Sequence, residues 1–223
     1  ACSEVGATPS PGVLSSSSGV LHVRGSIGKM REQRLCDDDM PPLAGALQTG
    51  HAFEEVDLSY NELGSKGLRS LLALLQTDAV VRKLNLSYNR IDADGVEELC
   101  AVLRENTSLD ELSLSGNQLG NRGGLAVAQL LQGDGAIKRL HLSNCELDDL
   151  SLIYLATVLR ENETLRSLDV SRSLLAPLME EEASHIGRML KVNSTLVDLD
   201  LSRCGIHDLG LQARGRGGRR DAR

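Results

Sequence analysis

Apolar and polar positions alternate over short stretches that recur along the chain, and each stretch is followed by apolar residues four apart. The segments VDLSYNEL (56–63), LNLSYNRI (84–91), LSLSGNQL (112–119), LHLSNCEL (140–147), LDVSRSLL (168–175) and LDLSRCGI (199–206) superpose without gaps. Their sixth positions are Asn61, Asn89, Asn117, Cys145, Ser173 and Cys204, at spacings of 28, 28, 28, 28 and 31. Six residues further on stand Gly67, Gly95, Gly123 and Ser151, with Gly210 in the last copy. Ten and fourteen residues on stand Leu71 and Leu75, Leu99 and Leu103, Val127 and Leu131, and Leu155 and Leu159. In the 31-residue unit, an insertion of three puts Ile186 and Leu190 in those roles. Period two followed by period four predicts a short strand and then a helix in every unit. In one unit Leu84 and Leu86 are expected to point inward and Asn85 and Ser87 outward, with Ile91, Leu99 and Leu103 closing the core.

Two polar ladders accompany the apolar ones. The Asn or Cys of each unit falls at a sharp inward turn, where an amide can bond backbone groups that the strand leaves unpaired. A second series, Asp78, Asn106, Asp134, Asn162 and Asn193, falls just beyond each helix, where an Asx residue is expected to accept a left-handed backbone. The glycosylation-like triplets at Asn106, Asn162 and Asn193 follow from that ladder and are read as structural, as is Asn85-Leu-Ser.

The pattern resembles the leucine-rich repeat, L-x-x-L-x-L-x-x-N/C-x-L, over residues 56–210, and the 28-residue unit with a full helix is similar to the ribonuclease-inhibitor subclass. The resemblance implies an α/β solenoid, with a curved parallel sheet on the concave face, strands about 4.8 Å apart, and helices on the convex face. Residues 21–55 are expected to form a degenerate first repeat, with a strand at Leu21–Ser26, a helix near Pro42–Leu47 and a seven-residue insertion around GKMREQR. Residues 1–20, built around SPGVLSSSSG, read as a flexible polar segment. Residues 211–223 read as a disordered basic Arg/Gly tail. Because that tail stands where the last helix should be, the final unit is expected to be unfinished, through truncation, an alternative exon or a gene-model error.

Composition sharpens this picture. Forty-one leucines against one Phe, three Tyr and no Trp describe a core filled almost wholly with aliphatic side chains. Residues 51–211 carry 15 Lys and Arg against 25 Asp and Glu, so the body is acidic and unsuited to a nucleic-acid groove, which needs a basic face. Five cysteines without a CxxC pair suggest a reduced, intracellular protein. Cys145 and Cys204 are two units apart, roughly 10 Å, beyond the ~7 Å reach of a disulfide. No apolar run approaches the ~18 residues of a membrane span, and ACSEVGATPS lacks the basic and apolar regions of a secretory signal. A cytoplasmic monomer is expected, with the nucleus or nucleolus as alternatives.

Candidate chemistry is sparse. His22, His51, His141, His185 and His207 occupy different repeat positions without ligand spacing, and no phosphate-binding glycine loop lies between a strand and a helix. A non-enzyme with neither cofactor nor metal is expected. The outward strand positions carry the information that the repeat does not dictate. Tyr60 and Tyr88 are equivalent positions in adjacent units, so two of three tyrosines meet on the concave face. With Arg90, His141, Asp169, Arg172, Asp200 and Arg203 they form a candidate protein-binding strip, since Tyr and Arg dominate interface hot spots. The competing reading is a solvated face on which LSYN is a tolerated form of the repeat. The insertion bearing Pro177 and Glu180–Glu182 is either a binding loop or a surface insertion whose acids favour a helix N-terminus. Arg214, Arg216, Arg219 and Arg220, interleaved with Gly, weakly resemble an RNA-binding segment, though no aromatic residue accompanies them for base stacking. The expected function is a non-catalytic scaffold that binds a protein partner on the concave face. The alternatives are a Ran-type small-GTPase activator, since one family of these uses the same repeat subclass with an acidic tail absent here, and an RNA or ribosome-assembly factor acting through the tail.

Overall fold

A three-residue strand cannot stand alone, and each one here pairs with a neighbour in a single sheet. The computed structural model describes residues 15–17, 19–25, 34–48, 52–77, 79–133, 135–172 and 180–204. Eight strands form one sheet in chain order: β1 (Ser15–Ser17), β2 (Val20–His22), β3 (Glu55–Asp57), β4 (Lys83–Asn85), β5 (Glu111–Ser113), β6 (Arg139–His141), β7 (Ser167–Asp169) and β8 (Asp198–Asp200). From β2 to β8 the pairing is parallel, and β1 folds back antiparallel on β2. The crossovers are helices α1 (Met40–Gln48), α2 (Ser65–Thr77), α3 (Ala93–Leu103), α4 (Gly120–Leu131), α5 (Asp149–Leu159) and α6 (Glu180–Val192), each packed on the next. The molecule is therefore an α/β solenoid with a parallel sheet on one face and helices on the other.

The register explains the leucine excess. Leu21, Val56, Leu84, Leu112, Leu140, Leu168 and Leu199 lie side by side at the centres of the seven parallel strands. Behind them run Leu58, Leu86, Leu114 and Leu142, then Leu63, Ile91, Leu119 and Leu147, all buried. Full burial of such a side chain contributes about 1.5–3 kcal/mol, so equal increments from each unit hold the solenoid together. A side chain at Gly95 would collide with Ser65 of the preceding unit, which is why the first turn of α3 packs so closely there.

Two expectations need correction. Asn106, Asn162 and Asn193 beyond the helices are not left-handed, and Asp78 and Asp134 lie outside the described residues. Instead Asn106 donates to Leu75 O (2.7 Å) and accepts from Ser108 and Leu109 N–H, Asn162 donates to Leu131 O (2.9 Å) and accepts from Thr164 and Leu165 N–H, and Asn193 bonds Leu159 O and Asn162 O. Each side chain thus ties the end of the preceding helix to a turn, and the buried amides of Asn106 and Asn162 are committed to those bonds. The second correction concerns Leu190, which is exposed, whereas Met189 is buried. The equivalent Leu103 is covered by the next helix, and among the described residues no helix follows α6. In the 31-residue unit the place of the glycine and serine row is taken by the buried Glu182, and Gly210 lies outside the described residues. The insertion before Glu182, residues 173–179, lies outside the described residues.

Candidate protein-binding face

Past the end of each strand the parallel ladder continues for two more bonds. Leu58 N–H donates to Asn85 O (2.8 Å) and Tyr60 N–H to Ser87 O (2.9 Å), and the pattern repeats at Tyr88, Gly116, Asn144 and Arg172. From β3 on, the residue at this position turns left-handed, unlike Gly25 in the first unit: Tyr60 (φ 60°), Tyr88 (56°), Gly116 (72°), Asn144 (55°), Arg172 (52°) and Arg203 (59°). This twist swings the chain inward so that the next residue, Asn61, Asn89, Asn117, Cys145 or Cys204, can be buried. Glycine and asparagine adopt such a backbone readily, whereas other residues pay roughly 1–2 kcal/mol.

Tyr60 and Tyr88 are therefore held on a strained backbone at the rim of the concave face, not on the strands themselves. Their rings stack with centroids 4.6 Å apart and planes 7° from parallel. The guanidinium of Arg24 lies 5.8 Å over the Tyr60 ring, while its Nε reaches Ser59 Oγ (3.2 Å) and Asp57 Oδ2 (3.3 Å). On the far side, a Cβ on Gly116 would come within 2.5 Å of Tyr88 Cδ1, so the missing side chain is what lets that ring lie down. Stacking contributes about 0.5–1.5 kcal/mol and offsets only part of the backbone strain of two tyrosines.

The turn below this row is built by the amide ladder. Asn89 Nδ2 donates to Leu58 O (3.0 Å) and Leu86 O (2.9 Å), and its Oδ1 accepts from Leu63 N–H (3.1 Å) of the preceding unit. Asn61 and Asn117 make the same reach, accepting from Leu35 and Ile91 N–H. Cys145 keeps only the donor half among the described residues, toward Leu114 O (3.3 Å), and Cys204 Sγ likewise donates to Val170 O (3.2 Å). Burial pushes the Cys145 thiol up to about 12, so it stays protonated and donates. Ser173 lies outside the described residues.

The remaining candidates divide by environment. Arg90 is not on the strand strip; it sits on the turn beyond Asn89 and pairs with Glu62 (3.2 Å). His141 is half-buried, with Nε2 3.6 Å from Glu111 Oε1, and lies between Ser113 and Asp169 in register. Asp169 and Asp200 turn Oδ1 back onto the N–H groups of Ser171 (2.9 Å) and Ser202 (2.8 Å). The Ser202 N–H and hydroxyl hold the Asp200 carboxyl below its ordinary value. Arg172 and Arg203 are exposed neighbours, since Arg172 N–H donates to Ser202 O (3.0 Å). Arg214, Arg216, Arg219 and Arg220 fall outside the described residues.

A further outward row lies at the start of the strands. Glu55, Lys83, Glu111, Arg139, Ser167 and Asp198 open their strands and share a face with the residues two positions on. Their charges alternate between units and pair across them, Lys83 with Glu55 (3.5 Å) and Arg139 with both Glu111 (2.7 Å) and Asp110 (3.2 Å). The signal was in the doublets Glu54-Glu55, Arg82-Lys83, Asp110-Glu111 and Lys138-Arg139, which change sign every 28 residues. Among the described residues no group of three or more His, Cys, Asp or Glu is placed to hold a metal ion, and no helix is long and apolar enough to cross a membrane.

Comparison with known proteins agrees with the geometry. A family model described as Leucine Rich repeat matches residues 53–72, 79–100, 105–128 and 192–213. No curated protein matches the sequence at a significant level. Among solved structures, the chain is similar to leiomodin-1 actin-binding site 2, with 18% identity over 65% of this chain and 88% of that one and a TM-score of 0.53. It is likewise similar to the tropomodulin C-terminal domain of Caenorhabditis elegans, with 12% identity over 67% and 87% and a TM-score of 0.56. These likenesses show the fold, and the chain is an α/β leucine-rich-repeat solenoid.

Proposed function

We propose that this solenoid is a non-catalytic scaffold that binds a protein partner on its concave side, centred on the stacked Tyr60–Tyr88 pair. The observation that carries the reading is that the two rings stack on each other at the rim, with Tyr88 exposed, at positions where the turn asks only for a left-handed backbone that Gly116 and Asn144 supply without strain. The leiomodin-1 domain of like fold is an actin-binding site, which supports a protein as the class of partner. Within the repeat class, the 28-residue unit favours the ribonuclease-inhibitor subclass, and the stretch 174–196 with the four units before it is similar to leucine-rich repeat-containing protein 34. We read residues 21–55 as a first repeat, supported by the pairing of β2 with β3, residues 56–210 as the repeats proper, and residues 1–20 and 211–223 as flanking segments.

The test replaces both tyrosines by Asn, the residue that already occupies this conformation at Asn144. Capture of partners from cell lysate by the intact chain should weaken by more than about 2 kcal/mol in the double variant, with the circular dichroism spectrum unchanged. Equal capture by both forms would remove the assignment of this face.

A further inference from the structure

The left-handed row is chemically polarised. In strand order it reads Tyr60, Tyr88, Gly116, Asn144, Arg172 and Arg203, with two phenols at one end and two guanidiniums at the other. Other arginines of this side are matched to a carboxylate: Arg24 to Asp57 (3.3 Å), Arg90 to Glu62 (3.2 Å) and Arg139 to Glu111 (2.7 Å). Among the described residues, Arg172 and Arg203 have no such partner for their guanidiniums, and neither tyrosine hydroxyl has one either. Two like charges are thus held side by side and exposed, an arrangement that a carboxylate-bearing ligand would relieve by paired N–H···O bonds. The nearest acids on the same strands, Asp169 and Asp200, have one oxygen each turned back to the backbone.

The aromatic end narrows the ligand further. Arg24 lies over the Tyr60 ring, the two rings stack on each other, and Gly116 lies so close to Tyr88 that a Cβ there would meet its ring. A nucleic-acid base could stack here, the main grip of single-stranded RNA on tyrosine, only by displacing Arg24 or opening the tyrosine pair. Ring edges and hydroxyls remain, and these suit aliphatic side chains and peptide carbonyls.

We propose that this row binds an extended acidic peptide segment lying across the strands, with an aliphatic side chain against the edges of Tyr60 and Tyr88 and carboxylates on Arg172 and Arg203. Tyr88 and Arg172 are three strands apart, roughly 14 Å at about 4.8 Å per strand, which an extended peptide covers in about four residues. The inference rests on the concave-side reading above and specifies its chemistry.

The experiment is fluorescence anisotropy on the full chain with a labelled peptide made of two leucines, a four-residue Ser/Gly spacer and four glutamates. The same peptide with four lysines and a ten-nucleotide oligouridine serve as comparisons. The glutamate peptide should bind saturably and the lysine peptide should not. Arg172→Asn with Arg203→Asn, and separately Tyr60→Asn with Tyr88→Asn, should each weaken binding at least tenfold. Asn suits the left-handed backbone, so these variants keep the fold, which circular dichroism checks. Failure of the glutamate peptide to bind, or binding indifferent to the arginine pair, overturns the proposal, as does tighter oligouridine binding that the arginine variants abolish. If the glutamate peptide fails while lysate capture still depends on the tyrosines, the acidic-peptide chemistry is wrong and the concave-side reading stands. If both fail, both readings fall.

Discussion

Replacing Asn89 tests how the turns are built. Its amide serves three backbone carbonyls, but each has a second donor. Leu58 O also receives Asn61 Nδ2 (2.9 Å), Leu86 O receives Asn117 Nδ2 (2.9 Å) and Ser87 O receives Tyr60 N–H (2.9 Å). Leu63 N–H has only Asn89 Oδ1. Asn89→Ala therefore strands one buried donor, worth about 1–3 kcal/mol, and loses donor bonds whose net worth is about 1 kcal/mol together because their acceptors stay occupied. A total near 3 kcal/mol is expected. Asn89→Cys keeps a weak donor but still strands Leu63 N–H, so it should cost about 2 kcal/mol. The native Cys145 escapes this because its neighbouring loop is rebuilt: Leu119 is helical, and Gly120, at φ 56°, donates its N–H to Cys145 O (3.2 Å). The equivalent Gly64 is not left-handed, and its N–H donates to Asp37 Oδ1 (2.7 Å) instead. Urea unfolding followed by circular dichroism reads both variants. If Asn89→Cys matches the parent within about 0.5 kcal/mol, the acceptor arm is not what holds the turn, and the reasoning fails.

Two further outcomes are expected. Gly116→Ala should destabilise by about 1–2 kcal/mol, through the positive φ, and should also displace the Tyr88 ring, so the near-ultraviolet tyrosine dichroism should change; an unaltered spectrum would contradict the packing of that ring on Gly116. At Asp92, the Ser65 hydroxyl and then the Gly95 N–H hold the carboxyl below its ordinary 3.8. A depressed carboxyl stabilises the fold above its unfolded value, and that contribution fades as pH falls through the folded one. Asp92→Ala should cost about 1 kcal/mol at pH 7, and its gap from the parent should narrow below about pH 4. A gap constant down to pH 3 would refute the assignment.

What was legible in the sequence follows from what the repeat enforces. Inward positions such as Leu84, Leu86, Ile91 and Leu99 were readable because burial admits only apolar residues there, and the strand–helix alternation came with them. The adjacency of Tyr60 and Tyr88 was readable for the same reason, since a fixed period makes equivalent residues neighbours. Backbone conformation was not, because Tyr and Arg at the turn hide a left-handed requirement that only Gly116 and Asn144 betray. The role of Asn106 and Asn162 was misread because an Asx residue can act through its backbone or its side chain, and the choice depends on a carbonyl 31 residues back in the chain. The pairing of Glu111 with Arg139 is not enforced by the repeat, because these residues lie one pleat before the outward positions that the consensus leucines bracket.

The amide ladder also has a direction. Leu63 N–H waits for Asn89, 26 residues later, as Leu35 N–H waits for Asn61 and Ile91 N–H for Asn117. In each of these three turns the acceptor for the buried N–H comes from the successor unit. On a ribosome, the turn of each unit would stay open until the next one had emerged, so the solenoid should mature in the order it is synthesised, one repeat behind the growing end.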